Sequence, residues 1–249
     1  MKAYDISLIA ATLNEIGNIE NFINEVEKYL SSYSYEIIII DDNSSDGTKE
    51  YLSKRSDDDD HLHVIENPKR YGMLRSLMIG ITQATGRIRL IMDADMQHPP
   101  ALIPVLISQI QNGYDVAIAS RYIKGGSPGD RTGFRGLLSR GAEYIAYVLV
   151  KSSRKTTDPM SGFFAYSDKM KMDFNYKNFF PQADFGAKIL LILLAENQKA
   201  KVIDVPYVFL SRKRGKSKIV NGRSFVIRYT AELINIIRLD HSNRKAETK

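Results

Sequence analysis

Ile37-Ile38-Ile39-Ile40-Asp41-Asp42-Asn43-Ser44-Ser45-Asp46-Gly47-Thr48 decides the fold. Four consecutive β-branched apolar residues leave the segment no polar face, which is the pattern of a strand covered on both sides, as in a parallel sheet. The run empties into acidic and turn residues, and a helical pattern then opens at Thr48. Outward from this unit, strands are predicted at Ile6 to Ala10, Glu36 to Ile40, His63 to Glu66, Arg87 to Met92 and Val116 to Ala119. Helices are predicted between them at Asn18 to Leu30, Thr48 to Lys54, Met73 to Ala84 and Pro100 to Asn112. The alternation implies an α/β fold with a Rossmann-like, mainly parallel sheet flanked by helices. Ligands of such sheets bind beyond the carboxyl ends of the strands. Asp42 falls there, where a carboxylate can accept hydrogen bonds from a nucleobase or ribose, whereas Asp46 and Ser45 read as turn and helix-cap residues.

Composition narrows the chemistry. The 249 residues are 43% hydrophobic, enough to bury a full core. Cysteine is absent and the four histidines are scattered, so disulfides, zinc-thiolate sites and a Cys nucleophile are excluded and any metal must rest on oxygen ligands. The amino terminus runs into the first strand without the pattern of a secretory signal, which sets a cytosolic start as the expectation. The longest apolar runs, Tyr144 to Val150 and Ile189 to Ala195, are far short of the roughly 20 residues a spanning helix needs. Residues 1 to 120 hold 10 Lys+Arg against 18 Asp+Glu, and residues 121 to 249 hold 25 against 11. The basic half suits nucleic acid or an anionic membrane surface, and the acidic half suits a cation site. The acidic run Asp57 to Asp60 lies between a helix and a strand and reads as a solvated loop.

The sharpest chemical signal is Leu90-Ile91-Met92-Asp93-Ala94-Asp95-Met96-Gln97-His98-Pro99-Pro100. A strand delivers two carboxylates one residue apart, then an amide, and Pro99-Pro100 starts a helix. Such close carboxylates repel one another unless a cation neutralises them. A hard divalent ion that keeps positions open for diphosphate oxygens fits this short motif, so Mg²⁺ or Mn²⁺ is the expected cofactor. Farther along, Arg121 ends the fifth strand as a cation able to grip phosphate in bidentate fashion. Arg135 and Ser139 share a helical face at i and i+4. Ser211 to Lys218 gathers Arg212, Lys213, Arg214, Lys216 and Lys218 around Gly215.

Four stretches together carry a family resemblance: Ala11-Thr12-Leu13-Asn14-Glu15, the turn at Asp42, Asp93 to Pro100, and Arg212 to Lys218. With them the chain resembles inverting family-two glycosyltransferases of the GT-A fold, most closely dolichol-phosphate mannose synthases. The resemblance implies that Ala11, Leu13, Glu15, Ile40 and Asp42 line a nucleotide pocket. It further implies that Asp93, Asp95 and Gln97 hold the metal or the diphosphate, with Ala94 at the nucleotide. Arg212 and Lys218 would close over the donor, and Arg121, Arg135 and Ser139 would hold the acceptor phosphate. Asp95, Arg121, Arg135 and Arg212 form the implied catalytic set. The chain departs from the family pattern at Ala11 and Leu13, where Pro and Tyr are usual, and at Phe164, where Arg is usual in the segment Asp158 to Tyr166.

The implied reaction moves mannose from GDP-mannose to dolichyl or another polyprenyl phosphate with inversion, and a uridine-nucleotide glucosyltransferase is the alternative donor reading. A nucleic-acid-binding protein, suggested by the pI of about 9.2, leaves the Asp-x-Asp segment without a purpose. The expected organisation is a catalytic domain over residues 1–218 followed by an amphipathic helix and basic tail over 219–249. Two apolar faces are candidates for a bilayer interface: Leu137, Leu138, Gly141, Ala142, Tyr144, Ile145, Val148 and Leu149, and then Phe225, Val226, Tyr229, Leu233, Ile236 and Ile237. Such faces serve equally to pack a helix onto a core; the resemblance favours the interface, and implies a peripheral protein on the cytoplasmic face of a membrane that either stands alone or borrows a separate anchoring subunit.

Overall fold

A computed structural model describes residues 4–129, 141, 144–172, 188–211 and 233–243. Its sheet contains β1 (Ile6–Thr12), β2 (Tyr35–Asp41), β3 (Leu62–Glu66), β4 (Ile88–Ile91), β5 (Val116–Ser120), β6 (Phe164–Ser167) and β7 (Val202–Pro206). Their spatial order is β3-β2-β1-β4-β6-β5-β7. β1 pairs in parallel with β2 and β4, β2 with β3, and β5 with β7, while β6 runs antiparallel between β4 and β5. The five predicted strands are present, and β6 and β7 are additions to the expectation.

Successive strand side chains point to opposite faces, and the run in β2 shows the result. Ile37 and Ile39 enter one core cluster and Ile38 and Ile40 the other. The first cluster is covered by α1 (Ile19–Leu30), α2 (Thr48–Asp57) and α4 (Ile103–Gln111), the last preceded by a 3₁₀ turn at Pro100–Leu102. In α1 the stripe Ile19, Phe22, Ile23, Val26 and Leu30 is buried, the i, i+3, i+4, i+7 pattern of a helix lying on a sheet. The second cluster is covered by α3 (Met73–Gln83) and α6 (Lys188–Glu196). Ile189 to Ala195 are all fully buried, so the second apolar run of the sequence is an interior helix. Gly80 lets α3 come close to the sheet: a Cβ there would lie 2.4 Å from Ile40 Cδ1 and 2.6 Å from Ile9 Cγ2.

Two further helical stretches, α5 (144–149) and α7 (233–243), correct the paired membrane expectation. Leu233 and Ile236 of α7 are buried in the same cluster as α3 and α6, with Ile237 packed against it. Buried Asp240 accepts hydrogen bonds from the backbone N–H of Lys151 (3.2 Å) and Ser152 (3.3 Å) and from Gln198 Nε2 (2.9 Å). This face of α7 therefore belongs to the core, because an apolar stripe has the same period whether protein or lipid covers it. Phe225, Val226, Tyr229 and the proposed boundary at 218/219 lie outside the described residues. α5 behaves in the opposite way: Ala146 and Val150 are buried, while Tyr144, Ile145, Tyr147, Val148 and Leu149 are exposed. Among the described residues no helix is long and apolar enough to cross a membrane.

Candidate active site

Because β6 is antiparallel, the segment that enters it arrives at the same edge as the segments that leave β1, β2, β4 and β5. That edge holds every non-glycine residue of positive φ among the described residues: Asn14 (51°), Asn43 (64°) and Met96 (62°), following β1, β2 and β4 in turn. Strained backbone clusters where function over-determines geometry. Asn tolerates the left-handed region better than Met does, so the Asp93-to-Gln97 turn is the most constrained of the three.

The turns after β1 and β2 are laced together. Ser44 Oγ donates to Asp41 Oδ2 (2.5 Å) and accepts the Asn14 N–H (2.8 Å), while Asn14 Oδ1 accepts the Ser45 N–H (2.8 Å). Asp46 accepts from the Thr48 N–H and hydroxyl and from the Ile16 N–H, which fulfils the expected turn-closing role. Partial burial opposes its charge, but the Thr48 hydroxyl and the two N–H groups outweigh that and hold its carboxyl below the usual range. Buried Glu15 receives Asn18 Nδ2 at 2.7 Å, and its own N–H donates to Thr48 Oγ1 at 2.9 Å.

Asp42 stands where expected, at the end of β2, and is buried. Its carboxylate accepts the N–H groups of Tyr71 (2.7 Å) and Gly72 (2.8 Å), Asn67 Nδ2 (2.9 Å) and Ser76 Oγ (3.2 Å). It thus fixes the loop between β3 and α3, on which the Arg75 guanidinium stacks over the Tyr71 ring at 3.9 Å. Ala11 is buried, Leu13 half-buried, and Ile40 is wholly buried with its Cδ1 next to Gly80, so that side chain serves the core rather than a pocket wall.

Asp93 and Asp95 follow β4, with Ala94 buried between them. Asp95 Oδ1 accepts the Gln97 N–H (3.1 Å). His98, which is 2% exposed, brings Nε2 to 3.3 Å from Asp93 Oδ2 and is ringed by Phe163, Tyr207 and Phe209 at centroid distances of 5.4, 5.7 and 5.4 Å. Its Nδ1 is buried without a hydrogen-bond partner. Gly162 faces Asp93 from the opposite segment: a Cβ there would lie 3.1 Å from Oδ2. Among the described residues no third acidic or histidine ligand joins the two carboxylates in a metal-binding group. A pair of hard oxygen donors with open positions nonetheless fits Mg²⁺ or Mn²⁺ completed by diphosphate oxygens.

Gln97 ties this turn to the far end of the chain. Gln97 Nε2 donates to the Leu210 carbonyl (3.1 Å), and the Leu210 N–H donates to the Gln97 carbonyl (2.9 Å). Leu210 is two residues before Arg212. Arg135, Ser139, Arg212 and Lys218 lie outside the described residues.

Arg121 differs most from expectation. Its Nε and Nη2 both donate at 2.7 Å to Asp158, which is wholly buried, and its backbone N–H donates to the same carboxylate at 3.1 Å. Burial alone would disfavour the charge, but Asp158 more than offsets it and Arg121 is held charged, its pKa raised above the ordinary arginine value. The bidentate fork foreseen for a phosphate is committed to a carboxylate. Asp158, His98 and Gly162 had no role in the sequence reading. Their only signal was membership of the quoted motifs.

Residues 7–170 match the profile of Glycosyl transferase family 2, a span that holds every motif up to and including Asp158 and Gly162. The chain belongs to glycosyl transferase family 2. This family-2 glycosyltransferase is 36% identical over 214 residues to a dolichol-phosphate mannosyltransferase of Pyrococcus furiosus, covering 86% of this chain and 59% of that one. It therefore spans less than two-thirds of that relative's length. A dolichol-phosphate mannosyltransferase of Mycosarcoma maydis is 30% identical over 241 residues, covering 93% of this chain and 79% of that one. The fold matches glucosyl-3-phosphoglycerate synthase from Mycobacterium tuberculosis, solved with Mn²⁺, UDP-glucose and phosphoglyceric acid, with a TM-score of 0.68 at 18% identity over 95% of this chain and 79% of that one. The seven-stranded sheet with its antiparallel β6 is thus the GT-A fold.

Proposed function

We propose that this glycosyltransferase moves mannose from GDP-mannose to dolichyl or another polyprenyl phosphate, with inversion at the anomeric carbon. The observation that carries the reading is the junction of Gln97 with Leu210. It joins an Asp-x-Asp turn suited to a diphosphate-bound cation to the segment that runs into the basic stretch Arg212 to Lys218. The names of the relatives support the polyprenyl-phosphate acceptor.

A phosphate acceptor is already anionic at neutral pH, so the residues have to align two anions and stabilise the departing diphosphate rather than remove a proton. Asp93 and Asp95 would hold the divalent ion, with Gln97 beside them, and the ion would supply charge neutralisation at the leaving diphosphate. Glu15, Asp42 and the loop that Asp42 fixes would receive the nucleotide, with Ala11, Leu13 and Ala94 around it. Arg135 and Ser139 would face the acceptor phosphate, with Arg121 held beside them by Asp158, and Arg212 with Lys218 would close over the donor. Ala11 and Leu13 depart from the family pattern on the nucleotide side, which makes UDP-glucose the second reading for the donor. Purified protein with a short-chain polyprenyl phosphate and a panel of labelled sugar nucleotides decides among them. Transfer from GDP-mannose is expected, transfer from UDP-glucose alone would change the donor, and transfer from none would overturn the reading.

We further infer that the chain works at the cytoplasmic surface of a membrane, with or without an anchoring subunit, and that α5 is the contact. Five apolar side chains in six residues face outward there. Moving partly exposed aliphatic side chains from water into lipid contributes on the order of 1–2 kcal/mol each. Replacing Val148 and Leu149, 43% and 46% exposed, by Ser is expected to weaken pelleting with anionic vesicles several-fold. Transfer to a long-chain acceptor should fall with it, and transfer to a short soluble acceptor and the melting temperature should hold. Unchanged pelleting would remove α5 from the interface.

A further inference from the structure

We infer that His98 and Gly162 are positioning residues for the Asp93 carboxylate, His98 as its hydrogen-bond donor and Gly162 by leaving free the room it occupies, and that together they set the strength of the cation site. The inference rests on the reading of Asp93 as a cation ligand. A carboxylate without a fixed partner rotates freely, and a cation that must be shared with a diphosphate is held best when the ligand's lone pairs are already aimed. On one side stands His98. Asp93 as a carboxylate can only accept, so His98 Nε2 carries the proton of the 3.3 Å contact. The ring is clamped by Phe163, Tyr207 and Phe209. Those three aromatics offer no partner to Nδ1, which is buried and unsatisfied. A buried polar atom left unpaired is costly, and Phe would fill the same box without that cost. What a phenyl ring lacks is the donor to Asp93.

On the other side the limit is steric. A Cβ on Gly162 would lie 3.1 Å from Asp93 Oδ2, 3.4 Å from Oδ1 and 3.5 Å from Cγ, so all three of its nearest neighbours belong to that one carboxylate. The backbone at Gly162 cannot retreat. Ser161 Oγ donates to the Ala119 carbonyl (2.7 Å), the Ala119 N–H donates to the Phe163 carbonyl (3.0 Å), and Asp158 is locked to Arg121. With its bed fixed to β5, a side chain at position 162 displaces the carboxylate instead. The segment Asp158 to Phe163 thereby gains a purpose: it fixes a backbone without a side chain beside the ligand that follows β4.

The test is Mn²⁺ binding followed by electron paramagnetic resonance in the presence of GDP, and in parallel UDP, with wild type, Gly162→Ala, His98→Phe and His98→Gln. Nucleotide affinity in EDTA and melting temperature are measured alongside. Gly162→Ala and His98→Phe are expected to weaken Mn²⁺ binding about tenfold, the lower end of what loss of an outer partner of a metal ligand produces. Nucleotide affinity in EDTA should be unchanged. His98→Gln, which retains an N–H at a similar reach, should recover part of the loss even if both substitutions lower stability. Wild-type Mn²⁺ affinity in both Gly162→Ala and His98→Phe would overturn the inference and leave the proposed function standing. Wild-type protein that binds Mn²⁺ with neither nucleotide would overturn both.

Discussion

Asp95→Asn is expected to lower sugar transfer by about a thousandfold or more while the protein stays folded. The substitution removes one of the two negative charges that would hold the cation, and the charge stabilisation a metal gives a leaving oxygen amounts to several kcal/mol. At about 1.4 kcal/mol per factor of ten, roughly 4 kcal/mol is a thousandfold. Folding should survive because Asp95 is half-buried and Asn is isosteric with it, so that the Gln97 N–H can be accepted equally by an amide carbonyl. Chelation of wild type should mimic the variant. The check is initial rate with a labelled donor, read beside circular dichroism and melting temperature. A variant that keeps wild-type turnover in metal-free buffer would take the cation out of the reaction.

Asp158→Ala should have the largest effect on stability. It leaves the Arg121 guanidinium buried opposite an empty space, and stripping one partner from a buried ion pair costs about 3–5 kcal/mol. For a chain of this size that corresponds to a fall in melting temperature on the order of 10 °C. Because the folded pKa of Arg121 is raised, its contribution is fully present below the ordinary arginine value and is lost only as pH rises through the higher folded one. The loss should therefore be the same at pH 6 and pH 9. Replacing the pair together, Arg121→Met with Asp158→Leu, should restore most of the stability, since apolar residues of similar volume commonly replace buried pairs without penalty. Activity then separates two roles. If Arg121 faces the acceptor phosphate as well as Asp158, the double variant folds but does not transfer. If transfer returns with stability, the arginine is structural and the phosphate is held elsewhere.

Much of this was legible in local sequence, and what was not shares one cause. β2 announced itself because Ile37 to Ile40 have no polar face, and α1 because Ile19, Phe22, Ile23, Val26 and Leu30 keep helical spacing. Neither depends on a distant part of the chain. β6 and β7 are different. Phe164 to Ser167 is four residues long, and Val202 to Pro206 contains Asp204 and a proline. β6 is a strand because β4 and β5 flank it, and β7 because β5 lies beside it. The site divides in the same way. Asp93, Asp95 and Asp42 could be placed at strand ends from their neighbours alone. That the Arg121 fork meets Asp158, that Gln97 meets Leu210 and that Gly162 backs Asp93 are contacts across 37, 113 and 69 positions of sequence, and no periodicity encodes them. The C-terminal apolar face misled for a related reason: Ile236 has the spacing of a membrane helix and of a core helix alike, and only the surrounding cluster distinguishes them.

The place of β6 between β4 and β5 also bears on how the chain comes together as it is made. β3, β2, β1 and β4 can pair as soon as the first ninety or so residues have emerged. β5 cannot join them, since both of its neighbours, β6 and β7, are synthesised later. Until then β4 presents an open edge, the feature most prone to wrong pairing in a growing sheet. The turns that carry Asp42 and the Asp-x-Asp pair are therefore early products of synthesis, and the Arg121–Asp158 pair is a later one. β6 already joins the two halves of the sheet, and the Gln97–Leu210 junction closes last, so a chain cut short just before Leu210 would carry His98, Arg121, Asp158 and Gly162 but lack the junction that leads on to Arg212.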